Sequence, residues 1–427
     1  MLESLDTVNW SLLEHAYGPA DDVPDLIRAL TSPLHETRRR AFRTLYSNIY
    51  HQGTVYEATA YAVPFLIELL EGPGIRCKAE ILVLLAHLAH GYSYIEQHQD
   101  LEFTFTKEKR SSPEFAERLR KEQTWVKNAH EAVGKGFPLY LDLLPHADPM
   151  IRMSAAYILA RFQEHAARSR PALLSSLRSE SDPSAKAGIL LSLSALSEHD
   201  SPLLNLFMEM MHGSEPRLVR VIAAMQLARP TRDTPSLEVV QVLLDALAHP
   251  EDIQNGYAEL PWSNMSLIGD ICRVLSTLAP ERIVLLVIPV LLDIFHTAGQ
   301  ASIERQRQRE AELRQVNADN PHHPPEQVVK MAAAMNNLGL MGLLDVARAL
   351  LHYAFQGKAV ENPRALTAIQ RTVLTAIVIN DAAWTFNGNM YDLLHPLFPS
   401  ADQRRFLLAT REFVRNLVQE AAREELE

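Results

Sequence analysis

One phrase recurs along this chain: a proline followed by an apolar helical face. It stands at Pro24 (PDLIRAL), Pro64 (PFLIELL), Pro138 (PLYLDLL), Pro171 (PALLSSL), Pro202 (PLLNLFM), Pro289 (PVLLDIF) and, more loosely, Pro235 (PSLEVVQVLL). Proline suits the first turn of a helix, where its missing N–H has no intrahelical acceptor and its fixed φ is already helical. Two positions on, Leu26, Leu66, Tyr140, Leu173, Leu204 and Leu291 begin a stripe. It returns four residues later at Leu30, Leu70, Leu144, Leu177, Met208 and Phe295, which places each pair on one helix face.

A turn and a second amphipathic segment follow. After Asp148-Pro149 the apolar set is Ile151, Ala155, Ile158, Leu159 and Phe162; after Asp182-Pro183 it is Ala185, Ile189, Leu193 and Leu196; after Glu215-Pro216 it is Leu218, Val221, Ile222 and Met225. The Asp carboxylate supplies an N-cap acceptor and the proline enters the helix without losing a bond. The turn prolines at 149, 183 and 216 lie 34 and 33 residues apart, and the helix-opening prolines at 138, 171, 202 and 235 lie 33, 31 and 33 apart. Two landmarks thus share one period. A pair of short helices cannot bury its own apolar face, so successive pairs must stack into a continuous core. The expected fold is all-α, a right-handed α-solenoid (an alpha-alpha superhelix) with two insertions and a helical C-terminal region.

Residues 136 to 230, and less closely 20 to 91 and 235 to 300, resemble the HEAT-repeat family, in particular the short units typified by the phycobilin-lyase group. The resemblance is carried by the proline-opened first helix and the Asp-Pro turn. It is carried also by a basic residue three positions past the proline (Arg76, Arg152, Lys186) and by small Ala155, Ala156, Ala223 and Ala224 where helices approach. Glu215-Arg220 departs by one slot. The resemblance implies an armadillo-type helical fold and carries no activity with it.

Composition agrees with a packed helical chain: 427 residues, 47% hydrophobic, 22% charged and only 16 glycines. Cys77 and Cys272 share no spacing motif, which fits a reducing, cytoplasmic setting. No basic segment leads into an apolar core over the first twenty residues, so no secretory signal is expected. The apolar run from Ile283 to Leu292 is interrupted by Pro289 and is about half the length that a bilayer requires, so no membrane span is expected. The net charge of −11 repels nucleic acid and favours a basic protein partner.

The repeat spacing stretches between Pro64 and Pro138 and again between Pro235 and Pro289, leaving insertions at about 91–135 and 250–265. Insertions in solenoids often project from the binding face. They hold Tyr92, Tyr94 and Trp125, and Tyr257 and Trp262. A charged helical extension with a Pro-rich loop, 301–327, separates the repeat region 1–300 from a C-terminal helical region, 328–427, whose WTFNGNMY stretch holds Trp384, Phe386 and Tyr391. The phrase HQGTVYEAT, between two helix pairs, adds His51, Gln52 and Tyr56; it resembles uncharacterised bacterial HEAT-like proteins. Aromatic side chains make large contacts at low entropic cost, so these eleven residues are the candidate partner-binding set.

Catalytic signatures are lacking. Deoxyhypusine hydroxylases carry iron on four His-Glu pairs; here there are two, His35-Glu36 and His130-Glu131. His322-His323 lacks a clustered third ligand, and no Gly-rich phosphate loop, G-x-S-x-G or Cys/His nucleophile context occurs. Arg38, Arg39 and Arg40 point in three directions around a helix, the mark of a solvated surface and not of a DNA-binding face. The expectation is a non-enzymatic interaction scaffold without metal or cofactor, with an immunity protein against a basic toxin as a special case. A metal-dependent or lyase-type enzyme is the alternative, and a nucleic-acid-binding protein the third reading.

Overall fold

A computed structural model describes residues 1–98, 110–196, 201–229, 236–263, 266–278, 280–316, 329–330, 338–360, 362, 366–385, 387–399 and 403–423. Among the described residues the regular structure is helical apart from two short antiparallel ribbons, β1 (Glu14–His15) with β2 (Gly18–Pro19) and β3 (Tyr50–His51) with β4 (Thr54–Val55). Its contacts gather into two compact units, residues 1–200 with 260–262, and residues 201–259 with 263–427.

The first unit holds α1 (Val23–Ala29), α2 (His35–Ile49), α3 (Glu57–Glu71), α4 (Lys78–Ala89), α5 (Tyr94–His98), α6 (Pro113–Gly134), α7 (Phe137–Asp142), α8 (Pro149–Leu159), α9 (Ala166–Ser179) and α10 (Pro183–Ala195). Helices pack within pairs, α1 on α2 and α9 on α10, and also between pairs, α4 on α8 and α8 on α10. Repeated packing between non-adjacent helices is the pattern that the period predicts. Ala155 and Ala156 are fully buried, and a Cβ at Gly188 of α10 would meet Met153 of α8 at 2.5 Å, so small residues set the approach of these helices.

The turns behave as the sequence implies. Asp148 accepts from Met150 N–H and Asp182 from Ala185 N–H, each capping a helix that Pro149 or Pro183 opens. The proline phrase is less uniform than expected. Pro24, Pro138 and Pro202 lie in first turns, but Pro64, Pro171 and Pro289 lie inside longer helices. In α3 the start is set upstream, at Glu57, by a capping box between Tyr56 and Thr59, and the proline forfeits one helical bond further along. Pro235 lies outside the described residues.

The basic landmark is better counted from the N-cap. Four positions after it, Arg38 donates to the Ser32 and Pro33 carbonyls, Arg152 to those of His146 and Ala147, Arg220 to Met211 and Arg371 to Leu366. Arg220 is therefore in register, because Pro216 is itself the N-cap. Arg76 is not, since α4 begins after it. Arg38 is buried, 8% exposed, and is no solvated surface residue.

Of the first insertion, residues 91–98 and 110–135 are described. Helix α6 packs on α3 and α4, with Trp125, Ala129 and Val133 buried and Glu122 accepting from the Ile95 N–H and from Arg118.

The second unit holds α11 (Ser201–His212), α12 (Arg217–Leu227), α13 (Leu237–Ala248), α14 (Gln254–Ala258), α15 (Leu267–Leu275), α16 (Pro280–Val316), α17 (Leu338–Phe355), α18 (Ala368–Ile379), α19 (Asn387–Leu394) and α20 (Gln403–Arg423), the last kinked at Ala409. In α11 the buried stripe is Leu203, Phe207 and Met211, one position off the predicted one. Helix α16 runs on through Pro289 and residue 301. Over Ile283–Gln315, 33 residues, it is long and apolar enough by length and composition to cross a membrane, unlike the shorter run read from sequence. Its Val287, Leu291 and Phe295 are buried and it packs on α13 and α17, while Leu285 and Leu286 stay exposed. The stretch from Trp384 to Tyr391, expected as a loop, contains the end of a 3-10 turn and the start of α19.

Candidate functional site

In the first unit, the C-terminal ends of neighbouring helices bring polar aromatic side chains onto one strip. Tyr46 and Tyr50 stand one turn apart at the end of α2, His87 and His90 at the end of α4, and Tyr157 and Arg161 at the end of α8. This i, i+4 or i, i+3 spacing puts each pair on one face. Arg161 also sits where the helix dipole favours a cation.

The strip is joined by hydrogen bonds. Tyr46 Oη and His87 Nδ1 are 2.8 Å apart, and His87 Nε2 and Tyr157 Oη 3.1 Å. Arg161 Nη2 donates to Tyr157 Oη. Tyr50 stacks on His87 at 5.5 Å and 15°. Trp262, which groups with this unit, sets its ring edge-on to Tyr157 at 4.8 Å and donates from Nε1 to Ser192 Oγ of α10. The Arg161 guanidinium lies 4.4 Å from the Tyr157 ring centre and 4.6 Å from that of Trp262. Cation–π attraction of this kind contributes on the order of 1 kcal/mol when partly desolvated.

Burial, then repulsion by Arg161 and His90, pushes His87 down to about 4. Burial, Arg161 and His130 lower His90 as well. His130 moves the other way. Burial opposes its protonation, but the Ala89 carbonyl at Nδ1 and the Glu164 carboxylate at Nε2, both at 2.8 Å, raise it. Burial raises the hydroxyls of Tyr46, Tyr50 and Tyr157, so all three are protonated near neutrality. Arg161 therefore stands as the cation of the strip beside a neutral imidazole.

Of the residues singled out from sequence, Trp262 belongs to this strip and Tyr92 borders it. Tyr92 is 44% exposed, lies edge-on to His90 and shares a 3.2 Å hydrogen bond with it. His51, Gln52 and Tyr56 form or flank the β3–β4 turn. Gln52 and Gly53 both take positive φ, +51° and +92°, the two-residue turn that matches hairpin twist. His51 Nδ1 meets Tyr17 Oη at 3.2 Å, Gln52 is exposed, and Tyr56 Oη bonds Thr54 Oγ1. The turn is pinned to Tyr92 through Val55 N–H to Tyr92 O and Tyr92 N–H to Gly53 O. Tyr94 is exposed and stacks on His98.

Two candidates are core residues, not contacts. Trp125 is 5% exposed and covered by Arg118 and Lys121. Tyr257, in the second unit, is 4% exposed and donates at 2.6 Å to Asp270 Oδ2. Neither is available to a partner, because removing such side chains from water is what holds their helices in place. Trp384 is half-buried, donating to the Ile377 carbonyl, and Tyr391 rests against His395 and Phe406. Phe386, His322 and His323 lie outside the described residues. Sequence reasoning passed over Tyr46, Tyr50, His87, Tyr157 and Arg161. Their signal is a polar aromatic or basic residue beside the apolar stripe, repeated near the ends of α2, α4 and α8.

Among the described residues, no group of three or more His, Cys, Asp or Glu side chains converges in a way that could hold a metal ion. Cys77 and Cys272 are buried free thiols, and burial raises both. No family model and no curated protein matches the chain. A crystal structure of an engineered protein aligns over 94% of this chain and 98% of its own at 16% identity, with a TM-score of 0.23, too low to indicate a common fold.

Proposed function

We propose that this chain is a non-enzymatic scaffold, a right-handed solenoid of HEAT-like helix pairs, and that it binds a partner protein through the strip of the first unit. The observation that supports this reading is the strip's make-up: Tyr46, Tyr50, His87, Arg161 and Trp262, held in place around the buried Tyr157 by hydrogen bonds and ring contacts. Tyr, Trp and Arg dominate protein-binding hot spots. Side chains already held in place lose little entropy when a partner docks. The charge of −11 favours a partner of net positive charge in the encounter, as with a basic toxin neutralised by an immunity protein.

The test is affinity capture with the purified chain and with a Tyr50→Ala/Tyr92→Ala variant, after melting curves establish that both fold alike. The expected result is a stoichiometric protein partner at low and moderate salt whose recovery falls at least about tenfold with the variant. Recovery of no stoichiometric protein, or equal recovery by both, refutes the reading.

A further inference from the structure

The basic run on α2 is not spread evenly around the helix. Arg38 turns inward to the Ser32 and Pro33 carbonyls, while Arg39 and Arg40 line one groove of about 460 Å³. Arg43, Thr44 and Ser47 join them from the following turns, and Tyr17 of the β1–β2 turn forms the facing wall. The Tyr17 hydroxyl is held 3.1 Å from Ser47 Oγ and 3.2 Å from His51 Nδ1. Every side chain in the lining is polar. The charges do not cancel. Arg39 donates to Glu36 from Nε at 3.1 Å and from Nη2 at 2.9 Å, so that pair is neutral. Among the described residues Arg40 forms no hydrogen bond or ion pair, and Arg43 acts on Glu36 only through space. Two guanidinium charges therefore stand uncompensated at one groove, in a chain whose net charge is −11. Residues three apart on a helix have Cβ atoms about 5 to 6 Å from one another, so side chains as long as arginine can close on one small group.

We infer that this groove is a phosphate-binding site, in which Arg40 and Arg43 receive a phosphomonoester dianion and the Thr44 hydroxyl adds a third donor. A carboxylate fills the fork of one guanidinium and leaves the second charge unmatched. A phosphomonoester carries close to two negative charges and three acceptor oxygens, which match both arginines and a hydroxyl together. The Thr44 hydroxyl is free for this, since it has no hydrogen bond among the described residues. Glu36 does not repel the ligand strongly, because its carboxylate is already bound by Arg39. The site is separate from the aromatic strip and stands whether or not the strip binds a protein.

The test uses the whole chain with methyl-labelled threonine and follows the Thr44 methyl by NMR as sodium phosphate is added at slightly alkaline pH and constant ionic strength. Thr44→Ser, which removes the methyl and keeps the hydroxyl, assigns the signal. The expected result is a saturable shift with a Kd on the order of 1 mM, as befits an exposed charged contact. Arg40→Gln and Arg43→Gln should each weaken binding at least about fivefold, and acetate should bind at least about fivefold less tightly than phosphate. Both arginines are exposed, so the variants should melt as the wild type does. Arg178→Gln, at an exposed arginine outside the groove, should leave the Kd unchanged. A phosphoserine peptide and adenosine monophosphate then distinguish the source: the one that binds more tightly than inorganic phosphate names it, and if neither does the ligand is the free anion. A shift that never saturates, one that persists in Arg40→Gln and Arg43→Gln, acetate binding as tightly as phosphate, or tighter binding of an unphosphorylated oligonucleotide overturns the inference.

Discussion

His87 makes the strip acid-sensitive, and the size of the effect follows from its surroundings. The imidazole's ordinary value is 6.5 and in the fold it is held down to about 4 by burial, Arg161 and His90. Between those pH values the unfolded chain takes up the proton and the folded one does not. Stability from this group is therefore complete above 6.5 and is lost as pH falls towards 4. At pH 4.5 the loss amounts to about 2.5 kcal/mol. Protonation would also make both ring nitrogens donors, so that Tyr157 Oη faces donors from His87 and Arg161 together. The assay is urea unfolding of the wild type and of His87→Gln at pH 7 and pH 4.5. Carboxylates and the oppositely shifted His130 titrate in both proteins and cancel in the comparison. The wild type should lose about 2.5 kcal/mol more than the variant. Equal losses would refute the assignment of a buried, neutral His87.

Other perturbations probe the frame around the strip. Ile158→Ala, at a fully buried position of α8, should cost about 2 to 4 kcal/mol in urea unfolding through the cavity it leaves. Arg152→Ala removes the cation paired with the buried Glu180 carboxylate, leaving it the Ser181 and Asp182 N–H donors, frees two turn carbonyls, and should cost roughly 2 to 4 kcal/mol. Gly53→Val forces a β-branched residue to a φ of +92° in the hairpin turn and should lower stability by about 1 to 3 kcal/mol. Tyr257→Phe leaves a carboxylate oxygen of Asp270 without its 2.6 Å donor, and a drop of about 1 to 3 kcal/mol is expected by the same method.

Much of the first unit was legible before any coordinates. Helix periodicity, Asp-Pro caps and small residues at close approaches are local signals, and each appears in place at Asp148, Asp182, Ala155 and Ala156. Element boundaries were harder. Proline at 64, 171 and 289 tolerates a helix interior where tertiary packing outweighs one lost bond, so the same phrase does not always mark a start. Two residues of the insertions were harder to place for a related reason. An aromatic residue such as Trp125 or Tyr257 reads alike whether it meets a partner or its own core, and only the packing neighbours distinguish the two.

By itself the sequence determined that the chain is mainly helical and marked a spacing near 33 residues between Pro138 and Pro235, because apolar spacing and turn chemistry act within a few residues. Tertiary structure alone decided which side chains meet. Tyr46, His87, Tyr157 and Trp262 are distant in the chain and carry no common motif, yet helix stacking sets them in one line beside Arg161. A chain of hydrogen bonds across three separate helices, with the Trp262 ring set against its end, depends on that register, and no local pattern encodes it.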